Sequence, residues 1–308
     1  MNEPKRHHYV TRAYMRRFSN DEHVYVLFKK DDNNCTITQK PTSIENICVE
    51  TDFYTVFEED EKKNSSVERL LARFEDETPN TVFSYIQSDL VFPFQEGGTI
   101  LDAKQKKMII DSIAIQIARG KSTREYGLSV IDNYYQEMLE ETRRQYDGTP
   151  DLEYQLEQLK NNEERIKNNA LVEGPVIEIM KGGQHSELRK NLQNRICFIL
   201  INTTELDFVT SDEPVLVCDG TKRQNGIFHC PLGNWNSIVY YPLDPKHMVA
   251  LYTKEFCHAT NNVTGNIILL GDSDRSFILN ANVAQLSQCN RCLIAKRKES
   301  LKDIFRAS

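Results

Sequence analysis

The chain has 308 residues, 39% of them hydrophobic and 27% charged, with a formal net charge of -7. It is long enough for one large domain or two ordinary ones and too apolar to stay disordered. The acidic balance excludes a bulk nucleic-acid coat, although a local basic patch can still grip a phosphate.

In chain order, His7 to Phe18 comes first. Two imidazoles, three guanidiniums and three aromatic rings fall in twelve residues. Tyr9, Tyr14 and Phe18 stand five and four apart, which suggests a short helix. VYVLFKK (24–30) is a strand by its β-branched and aromatic content, Asp31 to Asn34 is a turn, and CTITQK is its hairpin partner. DFYTVFE (52–58) reads as a third strand. Residues 67–88 carry apolar side chains at helical spacing, with Ser66 as cap and a break at Pro79. Residues 102–120 form a strongly apolar helix with Asp102 near its start. A longer, more polar helix spans 123–147, and another, rich in charge, runs from Pro150 to about 171. Gly182 and Gly183 mark a turn before a helix around 185–193. The remainder is strand-rich (RICFILIN, DFVTSDEPVLVC, SIVYYPLD, MVALYT) and ends in a helix over 281–292 that runs into LIAKRKES. Short strands, then helices, then strands argue an α+β fold, taken as one domain over 1–308 with sections 1–66, 67–193 and 194–308.

No stretch reaches the roughly 18 apolar residues of a transmembrane helix, and Met1 to His8 lacks the apolar core of a signal peptide. A cytoplasmic location is therefore expected, with no membrane partner. The eight cysteines then read as free thiols, several of them small hydrophobes, as Cys48 and Cys197 are in apolar surroundings. Cys289 and Cys292, with His229-Cys230 and Cys257-His258 upstream, make only a weak zinc pattern.

Four constellations carry chemistry. A helical N-terminal stretch puts His8 and Arg12 on one face, His8 to move a proton and Arg12 to fork an anion; the bland alternative is a solvated basic face. Gln116 and Arg119 lie three apart on an apolar helix, with Arg124 beyond; a buried Gln needs partners, and Arg119 can equally be a structural ion-pair partner. Glu68 and Glu75, seven apart, share a helix face that can hold a divalent cation or be merely acidic surface. In Thr210-Ser211-Asp212-Glu213-Pro214, Asp212 is placed as base, metal ligand or Arg partner, against the alternative of a simple turn.

These pieces resemble, in order and over nearly the whole chain, the bacterial domain of unknown function DUF4238. The resemblance rests on His8-Tyr9-Val10-Thr11-Arg12-Ala13-Tyr14-Met15-Arg16-Arg17-Phe18, in which Thr11 replaces the family's Pro and Met15 its Leu. It continues through Tyr54, the Glu68/Glu75 helix, Gln116-Arg119-Arg124, Ser211 to Pro214 and Pro242-Leu243-Asp244-Pro245. It ends on a helix with Asn280 and Asn290. The family brings no agreed activity. It implies that these dispersed polar residues belong together.

Three functions follow as expectations. The first is a phosphodiester-cleaving enzyme, a nuclease-like toxin or phage-defence effector, acting on nucleic acid or nucleotide. Its catalytic residues would be His8 and Asp212. Tyr9, Arg12, Tyr14, Gln116, Arg119, Arg124 and Ser211 would bind substrate, and Glu68 and Glu75 would hold Mg²⁺. The second is an enzyme on a small nucleotide such as NAD or a cyclic nucleotide. The third is a non-catalytic sensor whose polar cluster is a structural network and whose 151–170 helix meets a protein partner. Convergence of His8, Arg119 and Asp212 on one open cleft separates the first two from the third.

Overall fold

The protein is represented by a computed structural model that describes residues 6–31, 34–59, 62–77, 101–145, 150–180, 186–221, 229–260 and 267–307. Two sheets organise the fold. The larger has five strands: β8 (Ile196–Asn202), β10 (Leu216–Asp219), β11 (Ser237–Pro242), β12 (His247–Tyr252) and β13 (Ile267–Leu270), in the order β10-β11-β12-β8-β13. All its pairings are antiparallel except β13 with β8, which is parallel. Its strands are continuous apolar runs because both faces are covered. On one side Ile199, Val239, Val249 and Leu251 pack with the N-terminal Tyr9, Met15 and Phe18 and with Ile109, Ile110 and Ile113. On the other, Phe198, Leu200, Tyr240 and Ala250 pack against Phe277, Ile278, Ala281 and Ala284 of α9 (Arg275–Gln288).

The second sheet joins distant parts of the chain. Its order is β3-β2-β14-β9: β2 (His23–Asp31), β3 (Asn34–Ile37), β9 (Thr210–Ser211) and β14 (Cys292–Ala295), with β4 (Thr42–Ser43) on β2. Leu27 and Leu293 sit beneath Leu301 and Ile304 of α10 (Lys298–Ala307). The helical section comprises α2 (Ser66–Glu77), α3 (Ala103–Ala118), α4 (Lys121–Gln145), α5 (Pro150–Asn161), α6 (Glu163–Met180) and α7 (Glu187–Gln193). Asp102 starts α3 with a full capping box, its carboxylate taking the Gln105 N–H while Gln105 Oε1 takes its own. The α8 helix (Lys254–Thr260) closes the list. No helix among the described residues is long and apolar enough to cross a membrane.

The α+β class is as expected, and several local details differ. The N-terminal stretch is not one helix: β1 (Arg6–His8) pairs with β5 (Val49–Thr51), and only α1 (Arg12–Met15) with a following 3-10 turn is helical. Thr11 is the cap of α1, accepting the Tyr14 N–H at 3.0 Å. Within 52–58 only β6 (Val56–Phe57) is strand, paired with β7 (Lys63–Asn64), because Asp52 takes a left-handed turn at φ 56°. The helix from Pro150 breaks at Asn162, whose side-chain amide bonds the Gln158 carbonyl. The closing helix stops at Gln288 and Cys292–Ala295 becomes a central strand, its apolar run paired on both edges. The Pro79 break, the 78–88 part of its helix and the Gly182-Gly183 turn fall outside the described residues.

Candidate functional site

The N-terminal stretch and α3 meet in a sealed junction. Gln116 donates to the Tyr9 carbonyl at 3.2 Å, and Arg119 donates to the His8 carbonyl and, from Nε, to the Tyr54 hydroxyl at 3.0 Å. Gln116 is 4% exposed and Arg119 3%, so these polar groups hold backbone in place rather than face solvent. The His8 ring is half-buried and donates from Nε2 to the Ile44 carbonyl at 3.3 Å. Burial holds its pKa below the ordinary histidine value, and the cations Arg12, Arg119 and Arg6 add to this against the Ile44 bond. His7 is fully buried: its Nδ1 accepts the Tyr54 N–H at 2.8 Å and its ring stacks on Tyr54. Tyr9 is buried among apolar groups, which raises its hydroxyl pKa. Arg12 pairs with Glu22 and Glu45. The Tyr14 hydroxyl bonds the Thr210 hydroxyl and the Pro242 carbonyl, each at 2.7 Å.

The 210–214 turn is built into the backbone as well. Asp212 is 0% exposed, and its two carboxylate oxygens accept the N–H groups of Asn290 and Arg291 at 3.0 and 2.7 Å. Burial raises its pKa, opposed by these bonds. Its carboxylate therefore shapes the turn before β14. Ser211 donates to Gln285, Gln285 donates to the Pro214 carbonyl, and Asn282 and Gln288 hold neighbouring backbone groups of 207–215 in the same way. These three amides stand three apart on α9. The expected Asn280 and Asn290 are not the side chains that make these bonds. Arg124 donates to the Phe53 carbonyl and to Asn168. Glu68 lies in the first turn of α2, and the side chain of Glu75 falls outside the described residues. Among the described residues no three His, Cys, Asp or Glu side chains gather as a metal set, and all eight cysteines are free thiols.

His8, Arg119 and Asp212 thus do not converge on an open cleft. The first two meet through a backbone carbonyl, and Asp212 is sealed.

An open cleft does exist, at the β11–β12 turn. Asp244 accepts the N–H of Lys246 at 2.7 Å and of His247 at 3.0 Å, which closes the tight Pro242–His247 connection. Both Asp244 oxygens also lie 2.8–2.9 Å from His247 Nδ1. A carboxylate at Nδ1 makes that nitrogen the donor and leaves the lone pair on Nε2. The pair sits at a cleft of 710 Å³, lined also by Arg17, Asn20, Lys246, Lys296 and Arg297 on the cationic and neutral side and by Glu205 and Asp207 on the acidic side. That volume lies within the roughly 300–1,000 Å³ of small-molecule sites. Asp207 positions two of the cations, accepting from Arg297 Nε and from Lys246 Nζ at 3.0 Å. Arg17 lies within electrostatic reach of Asp244, and burial lowers its pKa. Lys296 has no hydrogen-bond or ion-pair partner among the described residues.

The profile of a family described as a protein of unknown function, DUF4238, matches residues 6–299. The chain belongs to DUF4238. No curated protein and no solved structure matches it. For this DUF4238 chain the sequence reading missed His247, Lys246, Asp207, Lys296 and Arg297. Asp244 was quoted only as part of a Pro-Leu turn and Arg17 only within the first stretch. The available signal was Asp244-Pro245-Lys246-His247, a carboxylate and an imidazole three apart across a proline turn.

Proposed function

We propose that the cleft binds a phosphate ester and that His247, oriented by Asp244, moves the proton in phosphodiester cleavage. The reading rests on one observation: an imidazole gripped at Nδ1 by a buried carboxylate, at the edge of an open cleft that also presents Arg17, Lys296 and Arg297. His247 Nε2 accepts the proton of the attacking hydroxyl or water. The new O–P bond forms as the bond to the leaving oxygen breaks, and that oxygen recovers a proton from the imidazolium. The cations meet the charge on the non-bridging oxygens. Relative to the sequence expectation, proton transfer moves from His8 and Asp212 to His247 and Asp244.

A second reading, a binding-only anion sensor, is favoured by one feature: Arg297 and Lys246 are already paired with Asp207. The test uses the purified full chain with short single-stranded RNA, single-stranded DNA and a cyclic nucleotide, with and without Mg²⁺. Cleavage that drops by about 10²–10⁴-fold in His247→Gln, the range of acid–base catalysis, supports the proposal. Cleavage unchanged in His247→Gln overturns it. Substrate bound but recovered intact by the wild type selects the sensor.

A further inference from the structure

A second pocket shares no lining residue with the cleft. Its volume is 160 Å³, and it lies where α4 and α6 meet Arg119 and the Phe53-Tyr54 turn before β6. That is below the roughly 300 Å³ of the smallest usual ligand pockets, so it suits a single charged group rather than a whole nucleotide. Arg119 and Arg124 both line it. The Arg124 guanidinium stacks 4.4 Å from the centre of the Phe53 ring, and that of Arg119 5.2 Å from the Tyr54 ring, contacts that fix the planes of both cations.

The bonds of Arg124 go to neutral acceptors, the Phe53 carbonyl and Asn168 Oδ1. They use two of the five N–H donors of a guanidinium. Among the described residues no carboxylate lies within ion-pair distance of Arg124. Burial lowers its pKa, with Tyr54 and the more distant Glu50 charge acting the other way. Gly127, Ala170 and Gly174 line it too, beside the bulkier Ile131, Leu171 and Pro175.

We infer that this pocket binds a phosphate-sized oxyanion on Arg124, with the buried Arg119 adding its charge to the pocket, as a free ion or as the terminal group of a larger molecule. An anion there supplies a direct ion pair and takes the spare donors of Arg124, the geometry in which a guanidinium fork is strongest. The inference does not depend on what the cleft does.

The test is calorimetric binding of inorganic phosphate, and separately of a nucleoside monophosphate, to the full chain and three variants. Arg124→Gln removes the cation. Gly174→Leu keeps both arginines and adds a side chain to the pocket lining; a Cβ at Gly174 meets no atom within 4 Å beyond its own helix and chain neighbours, and because a Leu before Pro175 strains the helix, its melting curve is compared with that of the wild type and binding is read on folded protein. Lys296→Ala alters only the cleft. Saturable phosphate binding that survives Lys296→Ala but weakens at least tenfold in both pocket variants is the expected result. Tighter binding of the monophosphate, lost in Gly174→Leu, identifies the ligand as a terminal group; preference for phosphate identifies the free ion. Undiminished binding in Gly174→Leu, or no saturable binding in the wild type, overturns the inference. Loss of nucleolytic activity in His247→Gln bears on the cleft alone.

Discussion

Glu213 reaches from its turn to accept the Ser122 N–H at 2.7 Å, capping the 25-residue α4 from another part of the chain. The contact is close because Gly120 has no side chain: a Cβ there would stand 2.7 Å from Glu213 Oε2. Gly120→Ala is expected to displace the cap and cost about 1–2 kcal/mol, the worth of an N-cap, in urea denaturation. In a Glu213→Ala background most of that cost should vanish. If the alanine is equally damaging in both backgrounds, the cap does not explain the glycine.

Tyr14→Phe leaves the Thr210 hydroxyl and the Pro242 carbonyl without a shared partner in a fully buried site. The stacking of ring 14 on Tyr241 is retained. A loss of about 1–3 kcal/mol is expected, the desolvation cost of unmet buried groups. A variant as stable as the wild type would show that the hydroxyl anchors nothing.

His8 gives the fold a dependence on acidity. Its folded pKa lies below its unfolded value because of burial. The unfolded chain therefore binds more protons, and stability falls as pH drops from about 6.5, the unfolded histidine value, through the depressed folded pKa. Melting temperatures across that window should decline less steeply for His8→Gln than for the wild type. Parallel curves would remove His8 as the source.

Within the cleft, Lys296→Ala removes a lining cation that has no partner of its own among the described residues. For a phosphodiester substrate, KM is expected to rise about threefold to tenfold, which corresponds to about 0.7–1.4 kcal/mol, with kcat and melting temperature unchanged. Raising ionic strength should shrink the difference, because salt screens an exposed charge. A fall in kcat at constant KM would place Lys296 in the reaction instead.

Local signals in the sequence were legible where one segment carried them. Asp102 and Gln105 announce the start of α3, and the apolar runs at 196–202, 237–242 and 247–252 are strands. Gln116 and Arg119 stood out as polar groups on an apolar helix, and both are buried and bonded. Their partners, the Tyr9 and His8 carbonyls and the Tyr54 hydroxyl, lie 65 to 111 residues away, which no spacing rule reveals. Cys292–Ala295 looked helical because its strand character comes from β2 and β9 on either side, a tertiary effect that overrides local preference. The cleft was illegible for the same reason. Its cations come from three stretches of chain, and the Asp244-Pro245 turn that presents His247 resembles any other turn.

The placement of β14 between β2 and β9 has a consequence for synthesis. Residues 23–31 wait for a strand that leaves the ribosome more than 250 positions later, so the sheet closes late, as long-range pairing does. Arg17 and Asn20 come from before that wait, and Lys296 and Arg297 from after it. A nascent chain stalled short of residue 292 carries the Asp244–His247 pair and still lacks Lys296 and Arg297. Whatever the cleft does through those two cations is withheld until residue 297 has been made.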